Sequence, residues 1–400
     1  MENIKREMYL KRIRPFYDKP LIKVLVGQRR VGKSFLLMQI MDEIKQQNKR
    51  ANIIYIDKEK FEFNSIKNDL TLIAYFEQKY QKGVPNYLFI DEVQEIASFE
   101  KALRSLLNET KADIYCTGSN AHIFSAELAT LLSGRFIQIK IHPLSYPEFL
   151  TFHGLENSQE ALNYFLKLGG LPFLIHLPKE QSVIYEYLKN IITTIIFKDV
   201  VNRHQIRDTM FLDNLLTFVA DNIGNLFSAR KISDFLKSLR IQKSVSSIIN
   251  YIKYLEEANI IAKVRRMNVQ GKKIFDVGEK YYFEDIGIRN AIIGFRPQDI
   301  NKIIENLIFN HLVFCDYSVY VGKLGTKEID FVAEKENERM YVQVAYQLSD
   351  TETIQREFGN LDLISDHYPK YVVSMDPLPI NTSYNGIKHI HLREFLSQCF

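Results

Sequence analysis

Apolar residues in the first 142 positions fall into two kinds of run. Short continuous runs read as strands buried on both faces: Leu21-Ile22-Lys23-Val24-Leu25-Val26, Ile53-Ile54-Tyr55-Ile56, Tyr87-Leu88-Phe89-Ile90, Ile114-Tyr115-Cys116 and Phe136 to Ile141. Periodic runs lie between them, such as Phe35-Leu36-Leu37-Met38-Gln39-Ile40-Met41 and Ile66, Leu70, Ile73, Ala74, Phe76, and these read as helices. Strands alternating with helices at this spacing predict a parallel sheet covered by helices on both faces. A leading helix over Met8 to Phe16 stops near Pro15 and Pro20.

The pattern then changes. Residues 145–225 follow a helical period, as in Tyr185, Leu188, Ile191, Ile192 and Ile195. Ser228 to Leu236 reads as a short capped helix, and Val245, Ile248, Ile249, Ile252 and Leu255 mark a second. Ile260 to Val264 and Ile274 to Val277 then flank a basic tip, Arg265-Arg266 with Gly271-Lys272-Lys273. Helix, helix and a two-stranded basic wing make a winged-helix plan. From about 300 a new α/β unit begins. Ile303, Ile304, Leu307, Ile308 and Leu312 form a helix carrying Glu305, and strands follow at 318–321, 328–333 and 340–345.

Length supports this division, because single cores rarely keep growing past ~250–300 residues and the chain has 400. Four segments are expected: a core at 1–142, a helical lid at 143–225, a winged helix at 226–285 and a small α/β domain at 286–400. No apolar run approaches the ~18–20 residues of a membrane span, and the first residues have no signal-peptide core. The three cysteines (Cys116, Cys315, Cys399) are widely spaced and describe neither a disulfide framework nor a zinc site. The expected compartment is a reducing cytoplasm. Net charge is only +4, but residues 228–280 hold twelve Lys/Arg against five Asp/Glu, a local +7 that leaves −3 elsewhere. That puts the basic excess on the winged-helix segment.

The chemistry sits at the strand ends. Gly27-Gln28-Arg29-Arg30-Val31-Gly32-Lys33-Ser34 fits the phosphate-binding pattern G-x-x-x-x-G-K-[ST], between a strand and a helix that opens with Phe35. The glycines let backbone N–H groups turn toward an anion, and the helix start adds its positive end. Lys33 is expected on the β- and γ-phosphates of ATP, and the Ser34 hydroxyl on Mg²⁺. Asp91-Glu92 closes the third strand as a Walker B pair. Asp91 would complete the Mg²⁺ shell opposite Ser34, and Glu92 would activate the attacking water as general base. Ser119-Asn120 ends the fourth strand, where Asn120 is a candidate γ-phosphate sensor. Arg135, before the fifth strand, is a candidate arginine finger.

Together with Thr117-Gly118-Ser119-Asn120, Ser133-Gly134-Arg135 and Pro143-Leu144-Ser145-Tyr146-Pro147-Glu148-Phe149, these motifs resemble a large family of prokaryotic AAA-type ATPases. Gly169-Gly170-Leu171-Pro172 and Lys198-Asp199 also match recurrent elements of that family. The resemblance implies a five-stranded core in which another strand separates the P-loop strand from the Walker B strand. It also implies a C-terminal domain of unknown function similar to restriction-endonuclease-like folds. Chemistry of that nuclease kind needs two carboxylates for a metal and a lysine after the second. Glu305 and Asp330 match, but Gln343-Val344-Ala345 stands where Glu-x-Lys belongs, so nuclease activity is expected to be absent.

The expected fold is therefore α/β: a P-loop NTPase sheet with helical lid, winged helix and nuclease-like C-terminal domain. The expected activity is Mg²⁺-dependent ATP hydrolysis driving a conformational change in the appended domains. Two alternatives stay open: an ATP-gated regulatory or scaffold protein with a protein partner, and a DNA-processing enzyme with a working metal site. Non-specific DNA, a protein and a second copy of the chain are the partners left open, with no membrane among them.

Overall fold

The computed structural model describes residues 4–109, 111–119, 132, 134–226, 228–238, 243–271, 273–348, 351–376 and 383–400. They form two units, residues 1–142 with 257–259, and residues 143–256 with 260–400.

The first unit runs α1 (Glu7–Ile13), β1 (Ile22–Val26), α2 (Lys33–Gln47), β2 (Asn52–Asp57), α3 (Asp69–Lys79), β3 (Asn86–Asp91), α4 (Phe99–Asn108), β4 (Asp113–Gly118) and β5 (Phe136–Lys140). The strands form one parallel sheet in the order β2-β3-β4-β1-β5. As expected, β4 separates β1 from β3. β1 and β3 are buried along their whole length, the condition for runs that do not alternate. Helix α4 buries Phe99, Ala102, Leu103, Leu106 and Leu107 on one stripe, and Asn68 with Thr71 closes a capping box at the start of α3.

Lys23 is fully buried inside β1, within a run that reads as apolar. Its ammonium meets the Asp113 carboxylate and donates to the Lys19 carbonyl at 2.8 Å. Burial pushes the Lys23 pKa down while Asp113 pulls it back. The ion pair makes a charged residue tolerable in a closed strand.

The second unit opens with helices α5 (Tyr146–His153), α6 (Gln159–Leu168), α7 (Gln181–Ile195) and α8 (Thr209–Asp221). Then come α9 (Ala229–Ser238), α10 (Val245–Glu257), β6 (Ile261–Asn268), β7 (Ile274–Phe283), α11 (Ile286–Ile293) and α12 (Ile300–Phe314). The remainder is β8 (Ser318–Leu324), β9 (Lys327–Lys335), β10 (Glu338–Val344), α13 (Thr351–Asp362), β11 (Lys370–Ser374), β12 (Ser383–Tyr384), β13 (Ile387–His391) and α14 (Leu392–Leu396). Among the described residues no helix is long and apolar enough to cross a membrane.

Both helices and both strands of the winged-helix plan are present, but the hairpin does not stand alone. β6 pairs with β8 in parallel, so β6 and β7 form the edge of an eight-stranded sheet ordered β12-β13-β11-β10-β9-β8-β6-β7. This sheet crosses the expected boundary at 285/286. A hairpin and a distant strand with matching edges pair by backbone hydrogen bonds, which carry no sequence signature.

Gly169-Gly170 is a packing joint. Gly169 has φ +77°, and a Cβ there would lie 2.4 Å from Asp285 Oδ1. The Asp285 carboxylate accepts from the Gly170 N–H at 2.7 Å and caps α11 through the Ile288 N–H at 3.0 Å. One acidic side chain thus fastens the end of α6 to the start of α11.

The cysteine reading needs correction. Cys315 and Cys399, 84 residues apart, form a disulfide with Cα atoms 5.6 Å apart, and Cys116 is free and buried. Packing of the C-terminal segment brings them together: the Tyr317 hydroxyl donates to the Phe400 carbonyl at 2.6 Å, and Phe400 sits against Tyr371 and Phe395. Spacing along the chain could not show this, and the cysteines no longer argue for a reducing compartment.

Candidate functional site

The P-loop leaves β1 at Val26 and ends where α2 begins. A Cβ on Gly27 would come within 2.2 Å of the Ile141 carbonyl oxygen, so only glycine fits beside the end of β5. Arg29 is half-buried, Arg30 is exposed with φ 68°, and Val31 is buried beneath them. Gly32, at φ 91°, opens α2, and among the described residues no side chain caps that helix. Its first N–H groups are therefore directed toward the loop as an anion site. Lys33 is buried, and its ammonium folds back onto the Gly27 and Gln28 carbonyls at 3.0 and 2.9 Å. The Gln28 amide is buried with neither polar atom hydrogen-bonded among the described residues. Phe35, in the first turn of α2, is exposed.

The N-terminal arm holds the loop from outside. Arg6 is buried and donates to the carbonyls of Val31 and His142, both at 3.0 Å, and its own N–H donates to Gln39 at 3.2 Å. Tyr9 adds a hydroxyl that accepts from the His142 N–H at 3.0 Å. Sequence reasoning missed Arg6 because nothing near it in the chain distinguishes it from its basic neighbours.

The two carboxylates of β3 meet the loop from the adjacent strand ends. Asp91 is buried, and burial pushes its pKa up against hydrogen bonds from Ser34 and Thr117. Ser34 and Asp91, expected to share a metal, are therefore in direct contact. A buried carboxylate beside a hydroxyl, each on a rigid element, fits a hard divalent cation such as Mg²⁺. Glu92 follows with φ 57°, a conformation that costs a non-glycine residue about 1 kcal/mol. Its backbone N–H donates to Thr117 Oγ1 at 2.9 Å, while that same hydroxyl donates to Asp91 Oδ1. Thr117 is fully buried and orders both carboxylate residues.

The Glu92 side chain is itself held. Gln94 Nε2 donates to Glu92 Oε2 and lies 3.3 Å from Ser119 Oγ. Thr117 and Gln94 could have been found from their positions, one at a strand end and one two residues past the carboxylates. Neither residue type announces a role alone. Asn120 lies outside the described residues.

Arg135 lies elsewhere. β5 runs parallel to β1, with Phe136 opposite Ile22 and Lys140 opposite Val26, so Arg135 precedes the edge where β1 begins. The P-loop leaves the other edge, a strand length of roughly 13–16 Å away. The exposed Arg135 guanidinium donates to Asn108 at 2.7 Å, and its carbonyl accepts from the Ile22 N–H at 3.0 Å. In this chain the guanidinium therefore stands at the strand end opposite the P-loop.

A family model described as an AAA domain matches residues 19–150, and a domain of unknown function (DUF8612) matches residues 159–299. An uncharacterized protein of Haemophilus influenzae is 36% identical over 99% of both chains. An uncharacterized protein of Methanocaldococcus jannaschii is 31% identical over 82% of this chain and 76% of its own. Among solved structures, a Walker-type ATPase of Pyrococcus abyssi is 17% identical, with a TM-score of 0.49 covering 72% of this chain and 95% of that one.

Proposed function

This chain belongs to the family it shares with the Haemophilus influenzae protein, a family that carries an AAA domain, and on that premise we propose that it binds ATP with Mg²⁺ and hydrolyses it to drive a conformational change in its second unit. The observation that carries the reading is the convergence of Ser34, at the start of α2, with Asp91, Glu92 and Thr117 at the ends of β3 and β4.

In this reading the residues of the loop, Gly27 to Phe35, hold the triphosphate through backbone N–H groups and the start of α2. Lys33 exchanges the Gly27 and Gln28 carbonyls for the β- and γ-phosphate oxygens. Ser34 and Asp91 hold Mg²⁺, which supplies charge neutralisation at the phosphates. Glu92 accepts the proton of the attacking water once Gln94 lets go of its carboxylate. The buried Gln28 amide, unmatched among the described residues, supports a ligand at the loop, because an unpaired buried polar group is costly.

The deciding experiment measures nucleotide affinity and turnover for two variants. Lys33→Ala should lose ~3 kcal/mol of triphosphate stabilisation, over a hundredfold. Glu92→Gln should keep the affinity and lose turnover. Parental hydrolysis by Lys33→Ala would end the proposal.

The second unit's role follows the same reading. Its β6–β7 hairpin, in the +7 segment, exposes Arg265 and Lys273 and suits the backbone of DNA without sequence preference. One observation favours a protein partner on α10 instead. Val245 and Ile249, one turn apart, are both exposed there, a poor surface for reading base edges. Retention of a protein partner by a variant that has lost all DNA binding would support the scaffold alternative.

A further inference from the structure

The nuclease-like reading of the C-terminal segment implies a divalent cation between Glu305 and Asp330. The structure supplies a different cation. β7 turns alternate side chains to one face, and Lys280 and Tyr282 share it. Lys280 is almost completely buried. Its Nζ lies 2.8 Å from Glu305 Oε1 on α12, 2.9 Å from Glu328 Oε1 and 4.0 Å from Asp330 Oδ1, the last two on β9. The Tyr282 hydroxyl donates to the same Glu305 oxygen. Gln343, at the position of the missing Glu, turns its carbonyl to the Asp330 N–H at 3.3 Å rather than toward the carboxylates.

We infer that Lys280 is the permanent cation of this cluster, standing where the nuclease-like fold would hold a divalent metal, so that the site is neutralised from within and binds no metal. An ammonium has three donors, and three carboxylates surround this one. Burying a charge is costly, and the carboxylates of Glu305, Glu328 and Asp330, all within 4.0 Å of Nζ, offset that cost. Asp330 accepts the Val344 N–H at 2.8 Å on one oxygen and faces the ammonium with the other. A metal entering the site would have to expel the ammonium, because the carboxylate oxygens would need to close to about 2.0–2.6 Å around a position that Nζ already fills.

The lysine comes from β7 and its partners from α12 and β9. The cluster is therefore also a clamp between the hairpin and the rest of the sheet. Breaking a buried pair by removing one partner leaves uncompensated charge, the most damaging change such a site can suffer.

The test uses the full chain without nucleotide and reads thermal unfolding in EDTA and in millimolar Mn²⁺ or Mg²⁺. Wild type should unfold at the same temperature in all three. Lys280→Met should lose about 10 °C in EDTA and recover several degrees in Mn²⁺, because the carboxylates then lack a cation. Adding Asp330→Asn to Lys280→Met should abolish that recovery. Should Lys280→Met fail to fold, the double variant Lys280→Met/Glu305→Gln decides, since removing one charge of each sign should give a folded chain more stable than the single variant. Mn²⁺ binding by wild type that disappears in Asp330→Asn would overturn the inference. So would a Lys280→Met chain as stable in EDTA as wild type.

Discussion

The Thr117 hydroxyl joins the two acidic residues at the end of β3: it donates to the Asp91 carboxylate and accepts the Glu92 N–H at 2.9 Å. It thereby sets the Asp91 rotamer and the left-handed Glu92 backbone at once. Thr117→Val keeps shape and volume and removes both bonds. Hydrogen bonds to charged groups are worth roughly 1.5–3 kcal/mol, so turnover should fall about tenfold to a hundredfold while ATP affinity changes little. Steady-state hydrolysis and equilibrium nucleotide binding separate the two. Equal loss in both would mean that Thr117 only supports the fold.

Gln94 should act in the opposite direction. Its amide occupies Glu92 Oε2, an oxygen that a general base needs free. Gln94→Ala should therefore raise the single-turnover hydrolysis rate, by up to about tenfold if releasing that bond costs 1–1.5 kcal/mol. A lower rate would show that Gln94 positions Glu92 productively.

Arg135 donates to Asn108 at the end of the strands opposite the P-loop. Arg135→Ala should leave nucleotide affinity unchanged. If the residue serves a neighbouring copy, hydrolysis should fall in assemblies and return when a Lys33→Ala chain with intact Arg135 is mixed in. No loss of activity in an assembled protein would make it an ordinary surface donor.

The basic hairpin predicts a salt signature. Replacing Arg265, Arg266 and Lys273, together with Lys272 (outside the described residues), should weaken DNA binding alike for all sequences. The log–log salt slope should drop by roughly 0.9 for each phosphate that the variant no longer neutralises. Binding titrations at several salt concentrations would show it, and an unchanged slope would remove DNA from the proposed partners.

Asp285 predicts a pH dependence. It is buried, and burial pushes its pKa up to about 6, against hydrogen bonds from Gly170, Ile288 and Gly287. A carboxyl raised on folding binds more protons in the native state than in the unfolded one. Between its ordinary value near 4 and about 6 its contribution to stability should fall as pH rises, by about 1.4 kcal/mol per pH unit at most, and stay level above. Asp285→Asn should lose that slope and be less stable at pH 5, because the Gly170 and Ile288 N–H groups address different carboxyl oxygens and an amide puts a donor NH2 in place of one of them. Thermal unfolding of both proteins from pH 4 to 7 gives the comparison.

What the sequence alone determined was local chemistry and the elements that carry it. Gly27 to Ser34, with a buried strand before and a helix after, is legible because a phosphate cradle must be built from consecutive backbone N–H groups. Asp91-Glu92 is legible because a strand end delivers its last side chains to one place. The five-strand order followed only through resemblance, not from the apolar pattern. Thr117 and Arg6 reach their partners across 26 and 25 positions, through β4 lying beside β3 and the N-terminal arm folding onto the loop. Lys280 meets Glu305 across 25 positions, where α12 lies against the sheet that β6 and β7 share with β8. Cys315 and Cys399 met only through the packing of the chain end. Tertiary structure decided these pairs because strand pairing and apolar packing select neighbours by burial and matching edges, whatever polar groups those neighbours bring. A lysine on the inward face of a strand shows in the sequence that it must find a carboxylate, and only the fold decides which one.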